Sequence, residues 1–144
     1  MINLKDVLVN YLNDGVELEN KIYYTTAKQI MDICGGQWMR YNIPGNNIID
    51  SHKKIGEDII NNGWLEYEPV TILIMKPNKI SDDTWIIEMF VNDGNRRLYY
   101  MKDSANYGIK VPIAFRYVDK KDYKNWDKFP YRNKIEYKHE IQKG

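Results

Sequence analysis

The sequence of 144 residues is long enough for one domain of ordinary size and too short for two. Hydrophobic residues make up 43% of it and charged residues 28%, a balance typical of a chain that folds and not of a disordered one. The net charge of +1 provides no overall attraction to nucleic acid or to an anionic membrane, so binding to either would require a local patch.

Cysteine content and the N-terminal residues point to a reducing environment away from membranes. Cys34 is the single cysteine, which forbids an internal disulfide, and no cysteine–histidine cluster has the spacing of zinc ligands. No apolar run approaches the ~18 residues of a membrane span, and residues 1–6 lack a basic start followed by an apolar core. We therefore expect a cytoplasmic protein with no membrane partner and no zinc site of the cysteine–histidine type.

The N-terminal portion, residues 1–45, is predicted to begin with helical and extended segments. Apolar residues recur at three- and four-residue steps over Leu4–Leu12, which indicates one face of a short helix. Lys21–Thr26 is rich in β-branched and aromatic residues and predicts a strand. A short helix over Ala27–Ile33 is expected to follow.

A glycine-rich loop is predicted over Cys34–Gly45, which contains three glycines and a proline. Arg40 lies between aromatic residues in this loop and is a candidate anion-binding side chain. In the alternative interpretation, Trp38 and Tyr41 pack on the core and Arg40 is solvated.

The central portion, residues 46–119, is predicted to contain a helix, strands and a second helix. Asp50 or Ser51 can cap the first helix, and Asn61–Gly63 is expected to end it. Apolar and β-branched runs predict three strands, over Pro69–Met75, Trp85–Val91 and Val111–Val118.

The C-terminal portion, residues 120–144, mixes lysines, acids and aromatic residues without a sustained period. We expect an irregular basic-aromatic tail there, with at most one short helix. Its lysines and aromatic rings could stack single-stranded nucleic acid, but the interspersed acids favour an ordinary solvated surface.

A polar turn interrupts the chain where the second predicted strand ends. The apolar run stops at Asn92–Gly94, and a helix is predicted from Asn95 onward. Glycine permits close approach of a ligand, the helix start contributes partial positive charge, and Arg96 and Arg97 add planar donor forks. This pattern predicts a site for phosphate or another anion. Alternatively, the two arginines are solvated, since adjacent helical residues point about 100° apart.

The order of these elements resembles the ParB/sulfiredoxin-like nucleotide-binding fold. Proteins of that superfamily have a helix ending in Asn-Gly, then a strand, an Asp-Gly-x-Arg-Arg-Leu helix start, and a Gly-x-x-x-Val-Pro strand. The corresponding segments here are Gly56–Gly63, Asp93–Leu98 and Gly108–Ile113. The resemblance implies a single α/β (α+β) domain, in which helices flank a small mixed sheet, with an added N-terminal helix and the irregular tail.

The resemblance also implies a ligand. In that superfamily the turn and helix start hold the phosphates of a nucleotide, so this role passes to Gly94, Asn95, Arg96 and Arg97. A nucleoside triphosphate with Mg²⁺ is the implied cofactor, and NTP hydrolysis or phosphoryl transfer the implied activity.

Candidate catalytic carboxylates flank the turn. Asp93 and Glu88 are close enough in sequence to orient a metal or a water molecule, although Asp93 is also a common turn-forming residue type. Glu57 and Asp58 are either solvated helix charges or carboxylates that hold magnesium.

The residue after the glycine departs from the superfamily pattern. Asn95 stands where sulfiredoxins have the reactive cysteine, where ParB clamps have a glutamate and where the ParB-like serine kinases have a histidine. Asparagine cannot serve as a base. A non-catalytic DNA- or protein-binding module of phage or mobile-element type is therefore the alternative function, and a ParB-like nuclease a weaker one.

Overall fold

The structure is a computed structural model that describes residues 1–36, 50–64, 68–100, 109–119 and 133–138. These ranges contain four helices, which are α1 (Leu4–Asp14), α2 (Ala27–Ile33), α3 (Asp50–Asn62) and α4 (Asn95–Tyr99). They contain seven strands, which are β1 (Ile22–Thr26), β2 (Gly35–Gly36), β3 (Val70–Met75), β4 (Asn78–Lys79), β5 (Thr84–Asp93), β6 (Lys110–Val118) and β7 (Asn133–Lys138). Within the described ranges, none of the helices has the length and apolar character needed to cross a membrane.

The strands form one mixed sheet in the order β1-β6-β3-β5-β2, and β4 and β7 also pair with β5. Two pairs are parallel, β3 with β6 and β2 with β5, while the other pairs are antiparallel. Strand β5 is central because it hydrogen-bonds to β3, β4, β7 and β2. The expected mixed sheet with flanking helices is confirmed.

The described helices contribute to a core on one face of the sheet. Side chains from every strand of the β3–β5–β6 centre join helix residues in one buried cluster, which includes Leu4, Leu8, Ala27, Ile30, Ile59, Ile72, Ile74, Met89, Val91, Leu98 and Ile113. A smaller buried cluster lies on the opposite face and consists of Leu73, Met75, Phe90 and Val118. Alternate strand residues therefore supply two separate cores.

Two short strands differ from the expectations. Gly35–Gly36 was predicted to be loop and instead pairs in parallel with Phe90 and Val91 of β5. Asn133–Lys138 falls in the stretch predicted to be irregular and instead pairs antiparallel with β5. Glycine has no side chain, so Gly35–Gly36 shows no alternation of polar and apolar residues that could indicate a strand. Only the backbone groups of these residues make the pairing. In β7 the sequence does alternate Ile135 and Tyr137 with charged residues, which is a strand signal too short to stand out.

Helices α3 and α4 approach each other closely at a glycine. Gly56 is buried, and a Cβ atom added to it would overlap Cγ of Tyr100 and lie 2.5 Å from its Cβ; Tyr100 is the residue that follows α4. The Tyr100 Cβ atom is fixed by the backbone and cannot rotate away. The bulky Tyr100 thus fits because its neighbour on α3 is glycine.

We predict that Gly56→Ala destabilises the protein by about 1–2 kcal/mol. The steric clash with Tyr100 is expected to destabilise the fold more than the higher helix propensity of alanine stabilises it. Urea unfolding monitored by circular dichroism measures the change. In the double variant Gly56→Ala/Tyr100→Gly, which removes the Cβ atom of residue 100 together with its ring, the penalty should be smaller than the sum of the two single penalties. Strict additivity would show that the two residues do not compete for space.

Tyrosines join helix α1 to strand β6. The rings of Tyr11 and Tyr117 stack with their centroids 5.9 Å apart, and the backbone N–H of Leu18 donates a 2.8 Å hydrogen bond to the Tyr117 hydroxyl. Burial, with smaller contributions from Tyr117 and Glu17, raises the pKa of Tyr11 to about 12. The neutral phenol is therefore the form that the fold favours.

Because the folded pKa of Tyr11 lies above its ordinary value of 10.0, its stabilising contribution is complete below about pH 10 and is lost as the pH rises towards 12. We predict that Tyr11→Phe flattens the decline in the free energy of unfolding over this range. Urea titrations at several pH values between about 9 and 11.5 measure that slope. Burial also raises the pKa of Tyr117, so part of the slope remains; an unchanged slope would contradict the prediction.

Candidate functional site

The predicted anion-binding turn lies at one end of the sheet, where two parallel strands finish. Gly36 of β2 lies beside Val91 of β5, so both strands run towards the same sheet end. Strand β5 ends at Asp93 and helix α4 begins at Asn95. The turn thus lies at the carboxyl ends of β5 and β2 and beside the amino ends of β3 and β6.

The end of β5 contains an extra residue. Ile72 of β3 pairs with Val91, but the preceding Thr71 pairs with Asp93, so Asn92 has no counterpart on β3. Such a β-bulge changes which face of the sheet the following side chain occupies. As a result, Asp93 lies on the face opposite to Val91 and the helices.

Gly94 forms the sharp connection between β5 and α4. Its φ of +105° is a conformation that side-chain-bearing residues rarely adopt, and its carbonyl accepts a 2.9 Å hydrogen bond from the N–H of Leu98. The residue is buried, and an added Cβ atom would lie 2.9 Å from Cγ2 of Val70. The close neighbour that requires glycine here is thus a side chain of the protein itself.

The Asn95 side chain points back into the fold. It is 7% exposed, and its Nδ2 atom donates a 3.0 Å hydrogen bond to the carbonyl oxygen of Val91. The amide therefore fastens the first turn of α4 to the end of β5. Any contribution of Asn95 to an anion site would come from its backbone, which is the role that the sequence predicted.

Arg97 is held from two sides by the segment that follows α3. Its Nη1 atom donates a 2.6 Å hydrogen bond to the carbonyl oxygen of Glu68, and its guanidinium carbon lies 4.9 Å from the centre of the Trp64 ring. Trp64 is only 2% exposed, and its Nε1 atom donates a 3.0 Å hydrogen bond to the same Glu68 oxygen. A cation–π contact and a hydrogen bond thereby hold the guanidinium in position.

The other predicted cation and the nearest carboxylate are at the surface. Arg96 is exposed, as expected for one of two adjacent helical residues. Asp93 Oδ2 lies 3.5 Å from Nη2 of Arg97; the Asp93 side chain is 61% exposed and that of Arg97 only 14%. The turn therefore brings Asp93, Gly94, Arg96 and Arg97 together at one corner of the molecule.

Glu88 is not part of this corner. The bulge places Glu88 and Asp93 on the same face of the sheet, but five residues of extended chain separate them by roughly 15 Å. In the described part of the chain, no group of three His, Cys, Asp or Glu side chains could hold a metal ion. The two candidate carboxylates thus cannot share one ion, and a Mg²⁺ ion at this site would need ligand phosphate oxygens.

The remaining candidates lie elsewhere. Arg40 lies outside the described residues. Cys34 is buried beside β5, where its thiol donates to the Met89 sulfur at 3.5 Å, and burial raises the pKa of that thiol. A protonated, enclosed thiol is not the reactive form of cysteine. Glu57 is exposed on α3, and Asn62 Nδ2 donates to the Asp58 carboxylate at 2.7 Å.

Sequence reasoning missed Trp64 and Glu68. Trp64 directly follows the Asn-Gly end of α3, and nothing in the local pattern relates it to an arginine 33 positions later. Glu68 contributes its backbone carbonyl, which no side-chain pattern can reveal. Both residues became visible only through the packing of α4 against the segment between α3 and β3.

We predict that Arg97→Lys lowers the free energy of unfolding by about 1–2 kcal/mol, although the charge is kept. A lysine ammonium is compact and not planar, so it cannot cover the Trp64 ring and also donate to the Glu68 carbonyl as the guanidinium does. Guanidinium chloride unfolding followed by tryptophan fluorescence gives the change. Arg96→Lys, one residue away and exposed, is the matched control and should leave stability nearly unchanged; equal effects at both positions would argue against the interaction.

Known proteins provide no guide to the function of this chain, so a functional conclusion depends on the geometry of the site. No family model matches the chain, and no curated protein or solved structure matches it either. The resemblance to ParB/sulfiredoxin-like proteins is thus an expectation that depends on the order of elements and the motif residues of this chain alone.

Proposed function

We propose that this chain binds a phosphate-bearing ligand, with a nucleoside triphosphate as the leading class, at the corner formed by Asp93–Arg97. The observation that carries the proposal is the fixed Arg97 guanidinium at the carboxyl end of β5. A guanidinium whose plane is already oriented loses little side-chain entropy when it binds an oxyanion. Exposed Arg96 on the next position adds a second positive charge.

The geometry supports binding more than turnover. The Asn95 amide is engaged with the Val91 carbonyl and is no proton acceptor, and Glu88 lies roughly 15 Å along the strand from Asp93. NTP hydrolysis or phosphoryl transfer would therefore depend on Asp93 and on Mg²⁺ carried by the nucleotide. We propose these activities only as extensions of binding.

A non-catalytic DNA- or protein-binding module is the second candidate function. The inward-facing Asn95 favours it, because this residue occupies the position at which the related enzymes place a reactive group. Phosphates of a DNA backbone could bind at the same arginines. A cytoplasmic location agrees with either candidate, since Cys34 is the single cysteine in the sequence and its thiol is buried.

Titration of ATP, CTP and GTP, each with Mg²⁺, against the wild-type protein tests the leading proposal. We expect saturable binding of at least one nucleotide, roughly tenfold weaker affinity in Arg96→Ala, and weaker binding at higher salt. Isothermal titration calorimetry measures each affinity. Lys79→Ala, which removes an exposed cation near the opposite end of β5, is the matched control and should bind normally.

The outcomes separate the two candidates. Absence of binding by every nucleotide rules out the leading proposal, as does an affinity that Arg96→Ala and Lys79→Ala reduce equally. Binding of single-stranded or plasmid DNA that weakens steeply with salt, without nucleotide binding, would instead support the second candidate.

A further inference from the structure

We infer that the Asp93 carboxylate is an internal oxyanion at Arg97, which a phosphate group of the ligand displaces on binding. The inference depends on the proposed function, because it concerns how that same site is regulated. It assigns Asp93 the role of a competitor for the ligand. The sequence had suggested a catalytic role for the residue.

The three contacts of Arg97 differ in kind. Trp64 covers one face of the guanidinium, and the Glu68 carbonyl accepts from Nη1 at 2.6 Å. The contact of Nη2 with Asp93 is longer, at 3.5 Å, and involves a side chain that is 61% exposed. The first two contacts are with a buried ring and a backbone carbonyl, whereas the third is with an exposed side chain.

The exposed contact can be exchanged at little cost. Ion pairs that involve a solvated partner contribute little to stability, because water and salt screen them. Carboxylate and phosphate oxygens both accept hydrogen bonds from the guanidinium fork, and phosphate groups carry more charge. A phosphate can therefore replace Asp93 while Trp64 and Glu68 keep the guanidinium in place.

The bulge in β5 places the carboxylate where this exchange is possible. Asn92 is the extra residue, and it directs Asp93 away from the face that the helices cover. Without it, Asp93 would share a face with Val91, which is fully buried. The carboxylate thus remains beside Arg97 and accessible to solvent.

A competitor and a catalytic or metal-orienting carboxylate have opposite consequences when the charge is removed. If Asp93 competes with the ligand, Asp93→Asn removes a like charge from the phosphate site and tightens binding. If Asp93 helps to hold Mg²⁺ or orients the nucleotide, the same substitution weakens binding. The sign of the effect therefore distinguishes the two roles.

The experiment compares wild type, Asp93→Asn and the control Asp82→Asn in titrations with inorganic tripolyphosphate and with each Mg²⁺-nucleotide. Asp82 is an exposed acid in the turn before β5, so its substitution changes net charge equally but far from Arg97. We expect Asp93→Asn to bind about two- to fivefold more tightly than wild type, and Asp82→Asn to bind like wild type. Thermal unfolding of each variant checks that the fold is retained.

Each result has a distinct meaning. Measurable binding by wild type, with tighter binding by Asp93→Asn and unchanged binding by Asp82→Asn, supports the exchange. Equal or weaker binding by Asp93→Asn, with clear binding by wild type, overturns the exchange and leaves the proposed function standing. Absence of binding by all three proteins overturns both.

Discussion

The carbonyl oxygen of Glu68 accepts hydrogen bonds from both the Trp64 indole and the Arg97 guanidinium, and the geometry of the corner formed by Asp93–Arg97 depends on this shared acceptor. A carbonyl has two lone pairs, so one oxygen can accept from two donors. The bond from Arg97 connects helix α4 to Glu68, and the bond from Trp64 fixes the indole to the same carbonyl. Stacking of the guanidinium on the Trp64 ring closes the arrangement, so that the orientation of Arg97 is part of the fold itself.

The same corner shows how structural and functional roles can share residues. Gly94 has a positive φ and leaves no room for a side chain beside Val70. The Asn95 side chain faces inward and donates to the Val91 carbonyl. These contacts fix the start of α4 at the carboxyl end of the central strand. What remains for a ligand is the outer edge of Arg97, exposed Arg96 and the carboxylate of Asp93. A small domain can thereby place two arginines at the end of its central strand without a dedicated loop.

Much of the fold was predictable, because long periodic segments carry a strong signal. The helix over Leu4–Asp14 and the strands Val70–Met75 and Lys110–Val118 lie close to their expected positions. Strands β2 and β7 were not predicted, since their pairing with β5 is a long-range backbone interaction that short segments barely encode. The Gly56–Tyr100 contact was likewise invisible, because neither residue indicates its partner.

The sequence by itself determined that a glycine and two arginines follow an apolar strand, because these identities are local and the break in periodicity is clear. Only the tertiary structure decided what each of them contacts. In the structure, Arg97 contacts Trp64 and Glu68, whereas Arg96 is exposed. Glu88 and Asp93 are far apart because both belong to the extended strand β5. The physical reason is that side-chain direction depends on strand register, the bulge at Asn92 and the packing of α4, all of which are set by residues distant in sequence.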